Sequence, residues 1–386
     1  MRIAGGLDSA TGFSQYNEGS ILVSDDSLLS ENFMCLQLIT SSREEIYNNP
    51  NPQSDFFCRP RSLSWTKETE AITLEMFTKF YKEVNGIKTN PVIITVDNIR
   101  LQITAEAVYF LIDGKAANAI VGNKNTHACP VCISGPVGVI CPSYFHSWLN
   151  STEWLIRNAA KKRIPNNPAL KHPEVQSEHR RISNKLEDRF EAHVNRPKPG
   201  GCGSSNNGNL ARLLLSDPTA FSDILGINRK LVENLRKISS LALSSQRLEP
   251  EKVKILYEEL EKNILTEFPF IKKLPPCLHK YKHLSEYITK LPYTMNFVDE
   301  QAGERMHKRH NFSRPNLARK TTPEDNMYDI MVAALAWSDI KISYTTFKKR
   351  RNCNANEDHD IDLAQFYEGH QMETRNQHKR MRKALI

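Results

Sequence analysis

Two sets of side chains in this sequence have the types and spacing for chemistry. Cys129 and Cys132 make a Cys-x-x-Cys pair, the spacing at which two thiolates supply half of a tetrahedral zinc site. The other half must come from elsewhere in the chain, and His279 and His283, in Leu-His-Lys-Tyr-Lys-His, are candidates because that step puts both imidazoles on one helix face. The second set is acidic. Asp113 closes an apolar, strand-like run (Ala107, Val108, Tyr109, Phe110, Leu111, Ile112) and is followed at once by Gly114. A carboxylate at the end of a buried strand is costly unless a cation or hydrogen bonds compensate it. Asp8 stands at the lip of a short first strand, and Glu304 falls on a helical pattern late in the chain. Three such carboxylates converging on two magnesium ions roughly 4 Å apart would form a phosphoryl-transfer site. Residue type alone does not select these three, since the chain has 44 Asp and Glu and an acidic side chain is by default solvated.

The elements that would position them follow from pattern. Strands are expected at 20–23, 33–40, 91–97 and 107–112, besides the first one, which ends in a turn at Asp8. Residues 41–65 are polar and proline-bearing, a loop by composition. Between 66 and 85, Ile72, Met76, Phe77, Phe80 and Tyr81 recur at helical steps. Beyond Cys132 the pattern turns α-helical at 145–163, with Trp148 and Trp154 read as core, and again at 221–225, 231–243 and 253–268. A proline-rich stretch (164–176) and a turn-rich loop (196–209) interrupt this part. The glycine-rich portion of that loop lacks the Gly-Lys-Ser/Thr of a Walker loop. A helix over 297–310 carries Glu300 and Glu304, and Thr322-Pro-Glu-Asp is a capping signature that opens a last helix through Leu335. From Lys348 onward the chain is charged and poor in apolar groups, the composition of a disordered tail.

The whole-chain quantities set bounds. At 386 residues there is enough chain for two or three structural units and for an enzyme. With 39% hydrophobic and 25% charged residues, no apolar run approaches the roughly 20 residues of a membrane span, so no membrane partner is expected. A net charge of +8 suits a polyanionic partner. Eight scattered cysteines fit one metal-binding pair plus free thiols in a reducing compartment, and the start lacks the apolar stretch of a signal peptide. The expected location is intracellular. Basic runs at 348–351 and 378–383 could serve nuclear import or phosphate contact.

Six ordered blocks carry a resemblance. They are Leu-Asp-Ser-Ala-Thr-Gly-Phe-Ser-Gln-Tyr (7–16), Ile-Asp-Gly-Lys-Ala-Ala-Asn-Ala (112–119), Cys-Pro-Val-Cys (129–132), Pro-Lys-Pro-Gly-Gly-Cys-Gly-Ser-Ser-Asn-Asn-Gly-Asn (197–209), His-Lys-x-x-His (279–283) and Asp-Glu-Gln-Ala-Gly-Glu-Arg-Met-His-Lys (299–308). In this order they resemble the Transib transposases and their relative, the catalytic subunit of the V(D)J recombinase, over residues 3 to 343 or so. The resemblance implies an α/β fold, a ribonuclease-H-like mixed sheet interrupted by a mainly helical zinc-binding insertion. It divides the chain into a first core part (1–120), the insertion (121–290), the last core helices (291–345) and a basic polar tail (346–386). On that footing Asp8, Asp113 and Glu304 take the places of the family's magnesium- or manganese-binding Asp, Asp and Glu, and Cys129, Cys132, His279 and His283 those of its zinc ligands. Glu304 is preferred to Glu300 because Glu304 with Lys308 reproduces the family's Glu-x-x-x-Lys step. Lys308, Arg309, Arg314 and Arg319, clustered just after it, would meet DNA phosphates.

The implied activity is nicking of double-stranded DNA, followed by hairpin formation or strand transfer, by a nuclear homodimer with an accessory subunit as a further partner. A non-catalytic DNA-binding protein derived from such an element is the alternative, and a plain metal-dependent nuclease shares the same carboxylates. Two departures from the family concern recognition more than chemistry. Only seven residues precede Asp8, where members carry a longer segment for end recognition and dimerisation, and the His-x-x-x-His step is shorter than in the vertebrate recombinase.

Overall fold

In a computed structural model of the protein, the described residues are 1–11, 27–125, 128–134, 140–141, 143–166, 168–194, 206–291, 293–298, 301–339, 342 and 361–368. The expected strand at 20–23, most of the turn-rich loop, Glu300 and both basic runs lie outside them.

Eight strands occur among the described residues: β1 (Arg2–Thr11), β2 (Ser27–Ile39), β3 (Glu45–Asn48), β4 (Cys58–Trp65), β5 (Val92–Val96), β6 (Ile99–Ile103), β7 (Glu106–Leu111) and β8 (Ile140–Cys141). Six of them form one mixed sheet with β1 inside it. On one side β1 pairs antiparallel with β2, Leu7 opposite Glu31 and Asp8 opposite Ser30. On the other it pairs parallel with β7, and this pairing stops at Gly6 opposite Leu111. β3 and β4 share the far edge of β2, and β8 extends the sheet parallel to β7.

Thirteen helices are described: α1 (Glu70–Thr89), α2 (Gly114–Ile120), α3 (Pro130–Ser134), α4 (Tyr144–Lys162), α5 (Pro173–Phe190), α6 (Gly208–Ser216), α7 (Pro218–Leu225), α8 (Arg229–Leu241), α9 (Pro250–Glu267), α10 (Pro276–His279), α11 (Leu284–Lys290), α12 (Gln301–Asn316) and α13 (Pro323–Trp337). The pleat separates the two sheet faces. Ile3, Leu7, Leu29, Phe110 and Ile112 pack with Phe80 and Val84 of α1, while Leu28, next to Leu29, packs with Ile330 of α13 on the other face. Gly5 lies where the first face is tightest, since a Cβ there would stand 2.6 Å from the rings of both Phe80 and Phe110. Helices α4 to α9 form a separate layer. In α8, Leu231, Val232, Leu235, Ile238 and Leu241 are all fully buried at three- and four-residue steps, each such side chain contributing on the order of 2 kcal/mol.

Most elements appear where pattern puts them. Thr322 caps α13 by accepting from Asp325 N, as its signature implies. Three expectations need correction. The stretch 41–65 is no loop, since it holds β3, a 3-10 turn at Asp55–Phe57 and β4. Pro60 is tolerated in β4 because that strand pairs only with β2 and shifts register there. β1 does not end at Asp8 but runs three residues further, still paired with β2. The strand expected at 91–97 is present as β5, and it pairs with β6 in a two-stranded hairpin apart from the main sheet. Its turn residues Asp97 and Asn98 have φ of 49° and 64°, which short polar side chains accept. Residues 361–368 are ordered against the helical layer, with Leu363 and Phe366 buried and Phe366 O accepting from Glu249 N at 2.8 Å. Three apolar side chains, Leu363, Phe366 and Tyr367, supply what the rest of the charged stretch lacks. No helix of the described residues is long and apolar enough to cross a membrane.

Gly5→Ala should lower stability by about 2 kcal/mol, because the added methyl overpacks two rings that are themselves enclosed. Urea unfolding of the variant would check this, and an unchanged midpoint would show that the rings move aside at no cost.

Candidate functional site

The first cluster is a metal centre in its geometry. α3 begins between the two cysteines, and α10 runs straight into a 3-10 turn at Lys280–His283, so His279 and His283 sit at the two ends of that turn. One ligand atom from each of Cys129, Cys132, His279 and His283 lies within 4.8 Å of all the others. Cys132 Sγ is 3.2 Å from the Nε2 of His279 and of His283. A tetrahedral ion with bonds near 2.2 Å separates its ligands by about 3.6 Å, so four such groups could hold a metal ion such as zinc. The electrostatics agree with that use. Burial lowers the pKa of both imidazoles, with Lys282 adding to the effect at His279 and His279 itself at His283, which leaves their ring nitrogens neutral and able to donate to a metal. Burial and Cys129 together raise the Cys132 thiol, and a cation is what would make it a thiolate. Outside the quartet, Glu286 Oε2 stands 3.7 Å from His283 Nδ1, a carboxylate whose charge favours a proton on that nitrogen and so leaves Nε2 for a metal ion.

The second cluster is a pocket. Asp8, Asp113 and Glu304 all line it, with Gly6, Asn32 and Gly303 among the other walls. Their convergence comes from strand register. Since β7 stops pairing at Leu111, Asp8 on β1 projects just past its parallel neighbour, and Asp113 follows that neighbour's end. Asp113 is the N-cap of α2, its Oδ1 accepting from Ala116 N at 2.7 Å. Glu304 comes from the first turn of α12, which packs against β1. Among the described residues the Cys/His quartet is the only group whose ligand atoms draw together within 4.8 Å. The three carboxylates share one pocket without closing on a single point, as a site for two ions would also leave them.

Three further side chains adjoin these carboxylates and were not found from the sequence. His307 Nδ1 is 2.9 Å from Asp8 Oδ2. Burial works against a charged His307, but the Asp8 hydrogen bond and charge, with Glu304, outweigh it and raise its pKa. His146 of α4 approaches Glu304, Nε2 to Oε1 3.5 Å, while its Nδ1 meets Ser143 Oγ at 3.0 Å. Glu68 lies near enough that Asp113 and Asp8 add to the rise in its pKa caused first by burial, with Lys115 opposing at 3.7 Å. A signal existed only for His307, one helical turn after Glu304 on the same face.

The basic residues are placed differently from expectation. The Arg309 guanidinium lies between the rings of Phe56 and Trp337, 4.3 and 4.8 Å from their centroids, and pairs with Asp55. Arg314 is 5% exposed and stacks over Trp65 at 4.6 Å. Both tie α12 to β4 and its neighbours instead of facing solvent, because a guanidinium packs on aromatic faces more readily than an ammonium does. Arg319 is exposed but bonded to Asp329 by Nε at 2.9 Å and Nη2 at 3.0 Å. Lys308 is exposed.

Two outcomes are expected. Cys129→Ser should release bound zinc and lower the unfolding temperature of the helical layer, and Glu286→Gln should weaken zinc affinity about tenfold, both readable by chelator competition. Full zinc retention in Cys129→Ser would remove the site. The second concerns His310 of α12, fully buried with neither ring nitrogen hydrogen-bonded. Burial first, and the charge of His307 second, hold its pKa down at about 3. An unfolded histidine titrates near 6.5, so between that pH and about 3 the unfolded chain takes up a proton that the folded chain refuses. Stability should therefore fall with acidification through that window, by up to about 1.4 kcal/mol per pH unit from this one group. His310→Leu should flatten the pH profile, and an unchanged slope would show that His310 is not the group responsible.

Comparison with known proteins supplies no family: no protein-family model matches the chain, and no curated protein is significantly similar to it.

Proposed function

We propose that this chain is the catalytic core of a Transib-type DNA transposase or recombinase, cutting double-stranded DNA by metal-dependent phosphoryl transfer. The observation that carries the reading is the meeting of Asp8, Asp113 and Glu304, from two adjacent strands and a late helix, in one pocket. Strand order supports it: the order β4-β2-β1-β7-β8 with only β2 opposed in direction, and α12 returning to β1 after a long helical insertion, is what a ribonuclease-H-like core would require. The resemblance of the six sequence blocks supports double-stranded DNA as substrate and a homodimer, and the basic runs support a nuclear location.

In this reading Asp8, Asp113 and Glu304 would hold magnesium or manganese, which when bound neutralise charge on the transferring phosphoryl group and make water a competent nucleophile. The chain's own residues do the positioning. β1 and β7 hold two carboxylates on a rigid sheet, and His307 fixes the rotamer of Asp8 through one of its oxygens. The Ala116 amide holds Asp113 in the same way. The Cys/His quartet is structural, closing the insertion at its two ends.

A second reading, a non-catalytic DNA-binding protein of the same descent, is favoured by one observation. Asp8 and Glu304 are both engaged by imidazoles, His307 and His146, which would compete with an ion for them. Magnesium- or manganese-dependent nicking of supercoiled plasmid separates the two. Asp113→Asn should reduce nicking about a hundredfold or more while keeping the α2 cap, since Asn caps as well as Asp. Nicking that survives in Asp113→Asn would exclude this pocket as its source, and a folded, zinc-containing protein that binds DNA without nicking it would favour the second reading.

A further inference from the structure

The hairpin of β5 and β6 sorts its side chains by face. Residues directly opposite in an antiparallel pair point to the same side, and successive residues along a strand alternate. The register sets Val92 opposite Ile103, Ile94 opposite Leu101 and Val96 opposite Ile99, so these six aliphatic side chains share one face. Ile93, Thr95, Arg100 and Gln102 share the other. Five of the six are between 37% and 63% exposed, and Ile103 is half-buried. None of them belongs to a hydrophobic cluster of the described residues. The pattern is that of an antiparallel sheet packed on one side and solvated on the other, yet the aliphatic side is open.

Left open, that face is unfavourable on two counts. A two-stranded hairpin by itself is at best marginally stable in water. Six adjacent aliphatic side chains with this exposure also make a patch of roughly 400 Å², as large as the biggest patch an ordinary monomer leaves open. The chemistry of the face selects its cover. It bears no charged or hydrogen-bonding side chain, so a polar partner finds nothing to pair with. A second copy presents the identical aliphatic surface, and a two-fold axis sets the two together with no like charges meeting. Arg100 and Gln102 stay solvated on the outer side. We propose that two copies of this chain associate through this face, their hairpins stacked about 10 Å apart with Ile94 and Leu101 at the centre of the contact. The contact totals roughly 800 Å², below a standard stable interface, so the association is weak and rises with concentration. This surface deepens the homodimer named above, and rests on that reading only for the DNA that would bring two copies together.

The test is sedimentation velocity of the intact, zinc-loaded chain without DNA, over roughly 1 to 100 μM, the range in which a patch of this size associates. The weight-average mass should rise from 44.2 kDa toward twice that value. Leu101→Glu should weaken association by about tenfold or more, because a two-fold contact brings both carboxylates into an apolar interface. Arg100→Glu, one residue away on the outer face, should change it by no more than about twofold. Zinc content and circular dichroism should be unchanged in both, since both side chains are exposed in the single chain. An equimolar mixture of Leu101→Glu and Leu101→Lys chains should associate again, which a contact of the face with itself allows and a contact with another surface does not. A chain that stays monomeric throughout, association that Leu101→Glu leaves intact, or a mixture that does not recover overturns the proposal. Association by this face in a chain that does not nick DNA supports the surface and counts against the catalytic reading alone. Nicking by a chain that stays monomeric overturns the surface and leaves that reading standing.

Discussion

The closure of Cys129 and Cys132 onto His279 and His283 is the contact on which the rest of the arrangement depends. It joins residues 147 and 151 positions apart, and the helical layer α4 to α9 is strung between its two halves. An insertion of that length would leave the returning chain free to dock in many places. Closing it at entry and exit delivers the segment after His283 back to the sheet, where α12 lies along β1. His307 reaches Asp8 by that route, Glu304 joins the same pocket, and His146, within the insertion, reaches Glu304.

Two kinds of force keep the parts in register. Within the helical layer it is burial, with whole faces of α8 and α9 enclosed, and this suffices because the helices are amphipathic and uncharged on their inner sides. Between α12 and the sheet the contact is more polar. Arg309 lies between Phe56 and Trp337, Arg314 over Trp65, and His307 is bonded to Asp8. A polar interface of this type fixes one orientation, since sliding the helix by a turn would leave a guanidinium or an imidazole buried without its partner. That matters for a pocket whose three carboxylates come from elements far apart in the chain.

The pocket is also where charges conflict. Acidic groups crowd it, Glu68 included, and His307 answers one of them at the expense of His310, which must remain neutral beside it. Lys280, on the 3-10 turn that carries His279 and His283, has its Nζ beside Gly114.

What the sequence by itself determined is what depends on local pattern. The faces of α1, α8 and α9, the cap at Thr322 and the Cys-x-x-Cys half-site can be read from spacing because neighbours on one helix or knuckle create them. The identity of Asp8, Asp113 and Glu304 as a set was legible only through the order of several blocks, since one carboxylate looks like another. Tertiary structure alone decided the remainder. It made β4 from a proline-bearing stretch, because pairing with β2 outweighs local composition. It detached β5 and β6 from the main sheet, and it packed residues 361–368 onto the helical layer. It turned Arg309 and Arg314 inward, because a basic residue has no intrinsic side until an aromatic face is brought to it by another element. Glu68 and His146 gained their places in the same way, from contacts that no spacing along the chain encodes.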